Sequence, residues 1–326
     1  MSEPLFTLFG LSVTKYALCV FAAATAGALL FFYRSAKRSI AARASELFVI
    51  FAIPLSVLLG HLMYYLTSIS QMLDASEDYS AFFLLSPLSG GFLFFGVFLG
   101  IALAALAAGK ITRTKPSRIL DAVCPALFLL IALCRLSEPF DVVGGMGQGW
   151  GLQIESENLC FFPLAFMPNA EYEEWYYSIF LLEGLYALLM CILTALDKKN
   201  RPDGQLLLLC IILYCASQVL FETLRRDEVV KWLFVRVSQL MSVISLALVL
   251  LYGTIKNGSQ NRKKYVLFWT AFILLTGLCI AIEFTVDKPI PIGDELYFLP
   301  YWLTYSIIGL SAAGMGAISW HAAKQI

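Results

Sequence analysis

Five ionisable side chains stand out because their types and spacing suit anion binding and proton transfer. Arg135 and Glu138 lie three residues apart, and Glu222, Arg225 and Arg226 form a second short group. A guanidinium fork matches phosphate oxygens and stays charged when partly desolvated, and a carboxylate in an apolar site can accept a proton near neutral pH. Together they could line one outward-facing polar cavity. Alternatively, each reaches the headgroup layer or closes an ion pair that fixes helix packing.

The composition around these residues indicates a membrane protein. Of 326 residues, 60% are hydrophobic and only 14% are charged. Soluble domains are about 45–50% apolar and about 25% charged. Apolar stretches recur along the whole length, which leaves no room for an ordinary soluble catalytic domain. Short alternating segments typical of a β-barrel are missing from the sequence, so the expected fold class is an all-α, polytopic membrane protein.

Apolar segments long enough to cross roughly 30 Å of hydrocarbon occur nine times. We predict membrane-spanning helices at approximately 16–33, 45–66, 90–109, 119–136, 177–196, 205–224, 237–254, 265–283 and 298–318. The loops after the first, third, fifth and seventh spans are rich in Lys and Arg, whereas residues 67–89 and 137–176 contain neither. The positive-inside rule therefore predicts an outside amino terminus and a cytoplasmic carboxyl terminus. Residues 225–236 are basic yet predicted outside.

Other ionisable residues within the predicted spans are few. His61 is either a packing residue or a proton acceptor, since a free histidine titrates near 6.5. For Glu183 and Glu283 we favour a packing role, because neither has a partner at helical spacing. No cysteine pair has the spacing of a metal site or a disulfide, and we predict no metal and no cofactor.

Several short segments resemble, in their order and spacing, the bacterial prolipoprotein diacylglyceryl transferases over approximately residues 10–255. The segments are 15–18, 60–64, 90–96, 134–143, 168–173, 214–225 and 238–242. The residues that match the family's motifs include Tyr16, Gly90, Gly91, Arg135, Tyr214, Glu222 and Arg225. Each segment alone is weak evidence, and the resemblance rests on the occurrence of all of them in the same order.

The chain departs from the family's motifs at positions that bear on chemistry. Phe95 stands where the family has a histidine, and Gln218 stands where it has an arginine. Glu138 replaces an asparagine, Val143 replaces a glutamate, and His61 replaces an arginine. Phenylalanine cannot take a proton, so Glu138 or His61 would have to replace the missing histidine.

The resemblance implies a seven-helix transferase core over residues 1–256, with two further helices in 257–326. The family moves a diacylglyceryl group from phosphatidylglycerol to the thiol of a lipobox cysteine in a secreted precursor, and it releases glycerol phosphate. The implied setting is a bacterial cytoplasmic membrane, without a nucleic-acid partner. Expected catalytic residues are Arg135, Glu138, Tyr16 and His61. Expected substrate-binding residues are Arg225, Arg226, Glu222, Tyr214, Gly90 and Gly91, with the arginines clamping a phosphate diester.

Three functions stay open from the sequence. The first is a transferase with a rebuilt proton-transfer site. The second is a non-catalytic homologue that binds lipid or lipoprotein precursor. The third, a channel or transporter, would favour mid-membrane polar residues and inverted repeats with broken helices, and the sequence shows neither.

Overall fold

The chain is mostly helical in the part that the structure covers. The computed structural model describes residues 5–8, 11–75, 93–140, 149–154, 156–167, 174–197, 201–226, 231–232, 235–258, 261–286, 290–292, 295–297 and 299–324. Within these ranges the α-helices are α1 Lys15–Lys37, α2 Ala42–Ala75, α3 Phe94–Thr112, α4 Pro116–Leu136, α5 Ile179–Ala195, α6 Gln205–Leu224, α7 Val237–Asn257, α8 Arg262–Glu283 and α9 Tyr301–Ala323. The strands are β1 Phe6–Leu8, β2 Leu11–Val13, β3 Trp150–Gln153, β4 Ala165–Phe166, β5 Tyr176–Ser178, β6 Lys231–Trp232, β7 Val235–Arg236, β8 Ile290–Ile292 and β9 Glu295–Tyr297.

These helices confirm the predicted all-α polytopic membrane fold. Among the described residues, eight helices are long and apolar enough to cross a bilayer. The remaining helix, α5, is apolar but has only 17 residues, at the lower limit of a span. It is shorter than the predicted 177–196 because β5 occupies residues up to Ser178. In contrast, α2 has 34 residues and continues well past the predicted end at 66.

Packing divides the chain into two compact units, which we describe separately. The first contains residues 1–206 and 225–234, and the second contains residues 207–224 and 235–326. This division by packing differs from the predicted boundary at residue 256, which separates the transferase-like core from the two further helices. By packing, most of α6 and all of α7 group with α8 and α9.

In the first unit, α2 and α3 pack closely because two residues of α3 at their interface are glycines, which have no side chain. A Cβ atom on Gly100 would lie 2.6 Å from the carbonyl carbon of Leu55, and one on Gly96 would collide with the carbonyl of Leu59. Gly96 and Gly100, four residues apart on α3, thus allow the two helix backbones to approach closely. Apolar side chains of α1 to α4 complete this core, with Phe31 against Phe48 at 4.7 Å between ring centroids.

Ion pairs fix the helix ends of the first unit that are predicted to face the cytoplasm. Asp121 is fully buried, accepts a hydrogen bond from the Gly204 amide at 2.9 Å, and pairs with Arg38 at 3.2 Å. The Arg34 guanidinium donates to the carbonyl of Ala195 at 2.7 Å and so caps the end of α5. These contacts hold α1, α4 and α5 in one arrangement.

A small antiparallel sheet at the other end of the first unit leads into α5. Its strand order is β3-β5-β4, with Trp150 opposite Ser178 and Ala165 opposite Tyr177. Since β5 runs directly into α5, the sheet determines where that helix begins.

In the second unit, small residues bring α7 and α6 close to α9. A Cβ atom on Gly253 would lie 2.7 Å from the carbonyl oxygen of Ala322. The hydroxyl of Ser319 donates to the carbonyl of Leu246 at 3.0 Å. The helices beyond the family resemblance are thus packed into this unit.

Candidate active site

Arg135, at the end of α4, lies between two carboxylates. Its Nη1 atom is 2.5 Å from Oε1 of Glu138, and its Nε atom is 2.9 Å from Oε2 of Glu183 on α5. Gly184 lets α5 approach, because a Cβ atom there would be 2.9 Å from Leu136 Cγ. All three charged side chains are buried. Such a group is stable only when its charges are paired, so the arginine and the carboxylates hold one another in place.

A short 3₁₀ turn after α4 directs Glu138 towards Gly149. The second carboxylate oxygen of Glu138 accepts the Gly149 amide at 2.7 Å. The carbonyl of Gly149 in turn accepts the amide of Phe180, in the first turn of α5, at 2.7 Å. Gly149 therefore connects the end of α4 to the beginning of α5.

Arg225 and Arg226, which follow α6 in the sequence, pack in the first unit beside these groups. A Cβ atom built on Gly149 would lie 3.5 Å from Glu138 Oε2 and 3.6 Å from Arg225 Nε. The Arg226 amide donates to the carbonyl of Trp150 at 2.8 Å. We call these residues the Arg135 cluster, which consists of Arg135, Glu138, Gly149, Glu183, Arg225 and Arg226.

The charge balance of the Arg135 cluster favours an anion. It contains three guanidinium groups and two carboxylates, so it has one excess positive charge when the carboxylates are ionised. Arg225 is mostly buried, and burial strengthens its attraction for an anion. Burial also raises the pKa of Glu138 above its ordinary value, although the Arg135 and Arg225 guanidinium groups oppose this shift. A carboxyl with a raised pKa is suited to proton transfer.

The region around position 95 is aromatic. The guanidinium carbon of Arg135 is 5.7 Å from the centre of the Phe94 ring, within the range of a cation–π contact. Phe95 packs against Phe98 with ring centroids 6.0 Å apart. Phe95, where the resemblance predicts the loss of a histidine, therefore lies next in sequence to Phe94, which is within cation–π range of Arg135.

The other expected catalytic residues also lie in the first unit. Tyr16 is in the first turn of α1, a helix that packs along α4 and contacts the turn at 138–140. His61 is buried in α2 and packs edge-to-face against Tyr65 at 4.6 Å between ring centroids. Their catalytic roles stay predictions.

Of the expected substrate-binding residues, Glu222 and Tyr214 are buried on α6 in the second unit, near the buried Gln218. Their roles in substrate binding stay predictions. Gly90 and Gly91 lie outside the described residues.

A chain of hydrogen bonds in the second unit reaches α8. The backbone carbonyl of Glu222 accepts a hydrogen bond from Arg236. The adjacent Thr223 accepts from Gln239 Nε2 at 2.8 Å and donates to Glu283 Oε2 at 3.0 Å. Glu283, at the end of α8, is therefore linked to α6 and α7.

Two members of the Arg135 cluster were not recognised as site residues from the sequence. The sequence favours a packing role for Glu183, because no cation lies at helical spacing from it. Its partner, Arg135, lies on another helix. The available signal was a carboxylate in an otherwise uncharged span, which by itself indicates a function. No sequence pattern indicates the hydrogen bond between the Gly149 amide and Glu138. Among the described residues, no group of His, Cys, Asp and Glu side chains could hold a metal ion.

Comparison with known proteins identifies the family. A sequence model of the prolipoprotein diacylglyceryl transferases matches residues 3–255, most of the chain. The protein belongs to this family. The matched residues include all members of the Arg135 cluster, whereas α8 and α9 lie beyond them.

Individual relatives are distant. A phosphatidylglycerol–prolipoprotein diacylglyceryl transferase of Paenarthrobacter aurescens strain TC1 is 28% identical over 244 residues, covering 72% of this chain and 75% of the relative. One from Streptococcus suis strain 05ZYH33 is 25% identical over 265 residues, covering 79% and 92%. One from Shouchella clausii strain KSM-K16 is 23% identical over 241 residues, covering 72% and 82%. The chain is a divergent member of a family of transferases.

Proposed function

We propose that the protein is an active transferase that moves a diacylglyceryl group from phosphatidylglycerol to a cysteine thiol of a secreted lipoprotein precursor. Family membership and the names of the relatives support this substrate pair. The observation that carries the proposal is the Arg135 cluster, in which a buried carboxylate with a raised pKa lies beside arginines. This arrangement supplies both a proton acceptor and a phosphate site.

The phosphate of the lipid binds to the excess positive charge of the cluster. Arg135 already forms ion pairs with Glu138 and Glu183, so its main role is to orient the Glu138 carboxylate, and it contributes less to binding the phosphate. Arg225 and Arg226 provide the remaining guanidinium charge. They bind the phosphate diester and stabilise the charge that develops on the leaving group.

Glu138 acts as the base in place of the family histidine. It takes the proton of the cysteine thiol, since the thiolate is the nucleophile. The sulfur then forms a bond to the terminal glycerol carbon of the diacylglyceryl group, and the bond from that carbon to the phosphate oxygen breaks. Glycerol phosphate leaves with the electron pair of that bond. Glu138 is placed for this role by Arg135 on one oxygen and by Gly149 on the other.

In this proposal Tyr16 and His61, both in the first unit, assist at the reacting thiol. Substrate binding by Gly90, Gly91, Tyr214 and Glu222 stays a prediction from the sequence. The protein lies in the bacterial cytoplasmic membrane with its amino terminus outside, as its loop charges predict. On this orientation the Arg135 cluster is near the outer face, where a secreted precursor presents its cysteine.

A non-catalytic lipid-binding homologue is the second candidate. It is favoured by Phe95, which has no proton-accepting atom, and by Arg135, whose Nε and Nη1 atoms both face carboxylates. In that case the Arg135 cluster would bind lipid without turnover.

A transfer assay separates the two candidates. Purified protein in nanodiscs is given phosphatidylglycerol and a lipobox peptide, and lipidated peptide and glycerol phosphate are measured. We expect product from wild type, its loss in Arg135→Ala, and a strong reduction in Arg135→Lys, because an ammonium group cannot hold two carboxylates as a guanidinium fork does. Glu157→Gln, at an exposed loop position, is the control. Saturable lipid binding by wild type without product would support the non-catalytic homologue.

A further inference from the structure

An apolar groove of about 370 Å³ lies between the end of α7 and the beginning of α8, both in the second unit. Its lining includes Thr254, Arg262, Tyr265, Trp269 and Ile273. The Trp269 indole donates to the hydroxyl of Thr254 at 3.1 Å and so joins the two helices across it. Ile273 is 63% exposed, and the groove is therefore open to the acyl chains of the bilayer.

One basic side chain, Arg262, lines this groove, and three lysines lie near it in the sequence. The cations at the end of α7 and in the first turn of α8 are Lys256, Arg262, Lys263 and Lys264. No Asp or Glu occurs between Glu228 and Glu283, and none follows Glu295. The end of α9, which packs on Gly253 of α7 through Ala322, adds no carboxylate. These four cations are thus close together in the sequence with no Asp or Glu near them, since Glu283 lies at the opposite end of α8.

At the predicted cytoplasmic side of the first unit, three basic side chains form ion pairs with carboxylates of the same chain. The pairs are Arg38 with Asp121, Lys115 with Asp203, and Arg201 with Asp197. The positive-inside rule explains basic residues at both places. It does not explain why some cations of the first unit have carboxylate partners, whereas the sequence has no Asp or Glu near Lys256 and Arg262.

A buried hydroxyl beside the groove also lacks a partner. Tyr265 is only 2% exposed and lines the groove, and its Oη atom forms no hydrogen bond with any residue that the structure describes. A buried hydroxyl without a partner costs about 1–3 kcal/mol, which an oxygen atom of a ligand would offset.

We propose that the α7–α8 groove binds one molecule of a phospholipid with a negatively charged headgroup. The phosphate lies against Arg262 and Lys263, and one acyl chain follows the apolar wall towards Ile273. An amphiphile fits better than a soluble phosphate because the groove between the cations is apolar and opens to lipid. None of the residues that line the groove belongs to the Arg135 cluster, so this proposal does not depend on the proposed transfer reaction.

Native mass spectrometry of the full chain tests this site. Detergent-purified protein is titrated with phosphatidylserine, phosphatidylcholine or inorganic phosphate, and the bound fraction is measured. Phosphatidylserine is chosen because it carries a net negative charge and is not the lipid named for the relatives. We expect one phosphatidylserine to bind in preference to phosphatidylcholine. Removal of two cations in Arg262→Gln/Lys263→Gln should weaken binding about 25-fold, at about fivefold for each cation.

A second variant tests the groove without changing its charge. Thr270 lines the groove and is exposed, so Thr270→Trp should fill it and displace the acyl chain while the protein folds normally. Lys37→Gln/Arg43→Gln, which removes two exposed cations from the first predicted cytoplasmic loop, is the matched control and should bind as wild type does. Equal binding of both lipids, displacement by inorganic phosphate, or full binding by Thr270→Trp would each overturn the proposal.

Discussion

Replacing Glu138 by glutamine keeps the shape of this side chain but removes its proton-accepting capacity and its ion pair with Arg135. Glutamine has nearly the same shape, and its carbonyl oxygen can still accept the Gly149 amide that now lies 2.7 Å from Oε2. The change removes the negative charge and the capacity to accept a proton. General-base catalysis contributes about 10²–10⁴-fold, so kcat should fall by that factor, or by roughly 2.7–5.4 kcal/mol in the barrier. KM for phosphatidylglycerol should change little, because the lost interaction belongs to the transition state.

The assay is steady-state formation of lipidated peptide in nanodiscs, with folding checked by thermal unfolding in detergent. Glu157→Gln carries the same chemical change at an exposed position and should retain wild-type kcat. A Glu138→Gln protein that is folded and keeps kcat within tenfold of wild type would refute the assignment of Glu138 as the base. His61 would then become the residue to test.

The pH dependence gives a second measurement on the same residue. Burial raises the pKa of Glu138, and the base must be ionised, so transfer should decline with falling pH already above the ordinary carboxyl pKa of about 4.3. The folded protein then holds this proton to a higher pH than the unfolded chain does. The contribution of Glu138 to the free energy of unfolding is therefore greatest below the ordinary pKa and declines as pH rises through the raised pKa. Glu138→Gln should lack both dependences, and an unchanged acid limb would exclude Glu138 as its source.

Three further predictions concern the framework of the two units. Glu183→Gln should lower the free energy of unfolding by about 3–5 kcal/mol, seen as a lower Tm, because it removes the charge of one partner of a buried ion pair; an unchanged Tm would show that the pair does not stabilise the protein. Gly100→Ala should cost about 1–3 kcal/mol because its Cβ would lie 2.6 Å from backbone of α2. Gly277→Ala, where a Cβ meets nothing within 4 Å, should be tolerated, and equal effects would contradict the packing argument. Thr223→Val and Glu283→Ala should show a coupling of about 1.5 kcal/mol in a double-mutant cycle, and simple additivity would mean that this hydrogen bond does not stabilise the unit.

The Arg135 cluster shows how far the sequence leads towards a site. The sequence predicts that Arg135, Glu138, Glu222, Arg225 and Arg226 could line one polar cavity, because they lie at similar predicted depth in the membrane. The structure places four of them in the first unit, whereas Glu222 belongs to the second. Glu183 and Gly149 were not predicted as members, since their contacts join segments far apart in the chain and follow no helical spacing.

The sequence by itself determined the membrane setting, the position of most helices and the family. These properties are local, because the length of an apolar segment and the residues at its ends decide whether it spans a bilayer. Tertiary structure decided the rest. The β3-β5-β4 sheet precedes α5 and limits that helix to 17 residues. Helix packing places Glu183 against Arg135, and it groups most of α6 and all of α7 with α8 and α9, the helices beyond the family match. A buried charge takes its partner from whatever the packed helices bring within reach, and the order of residues along one helix does not contain that information.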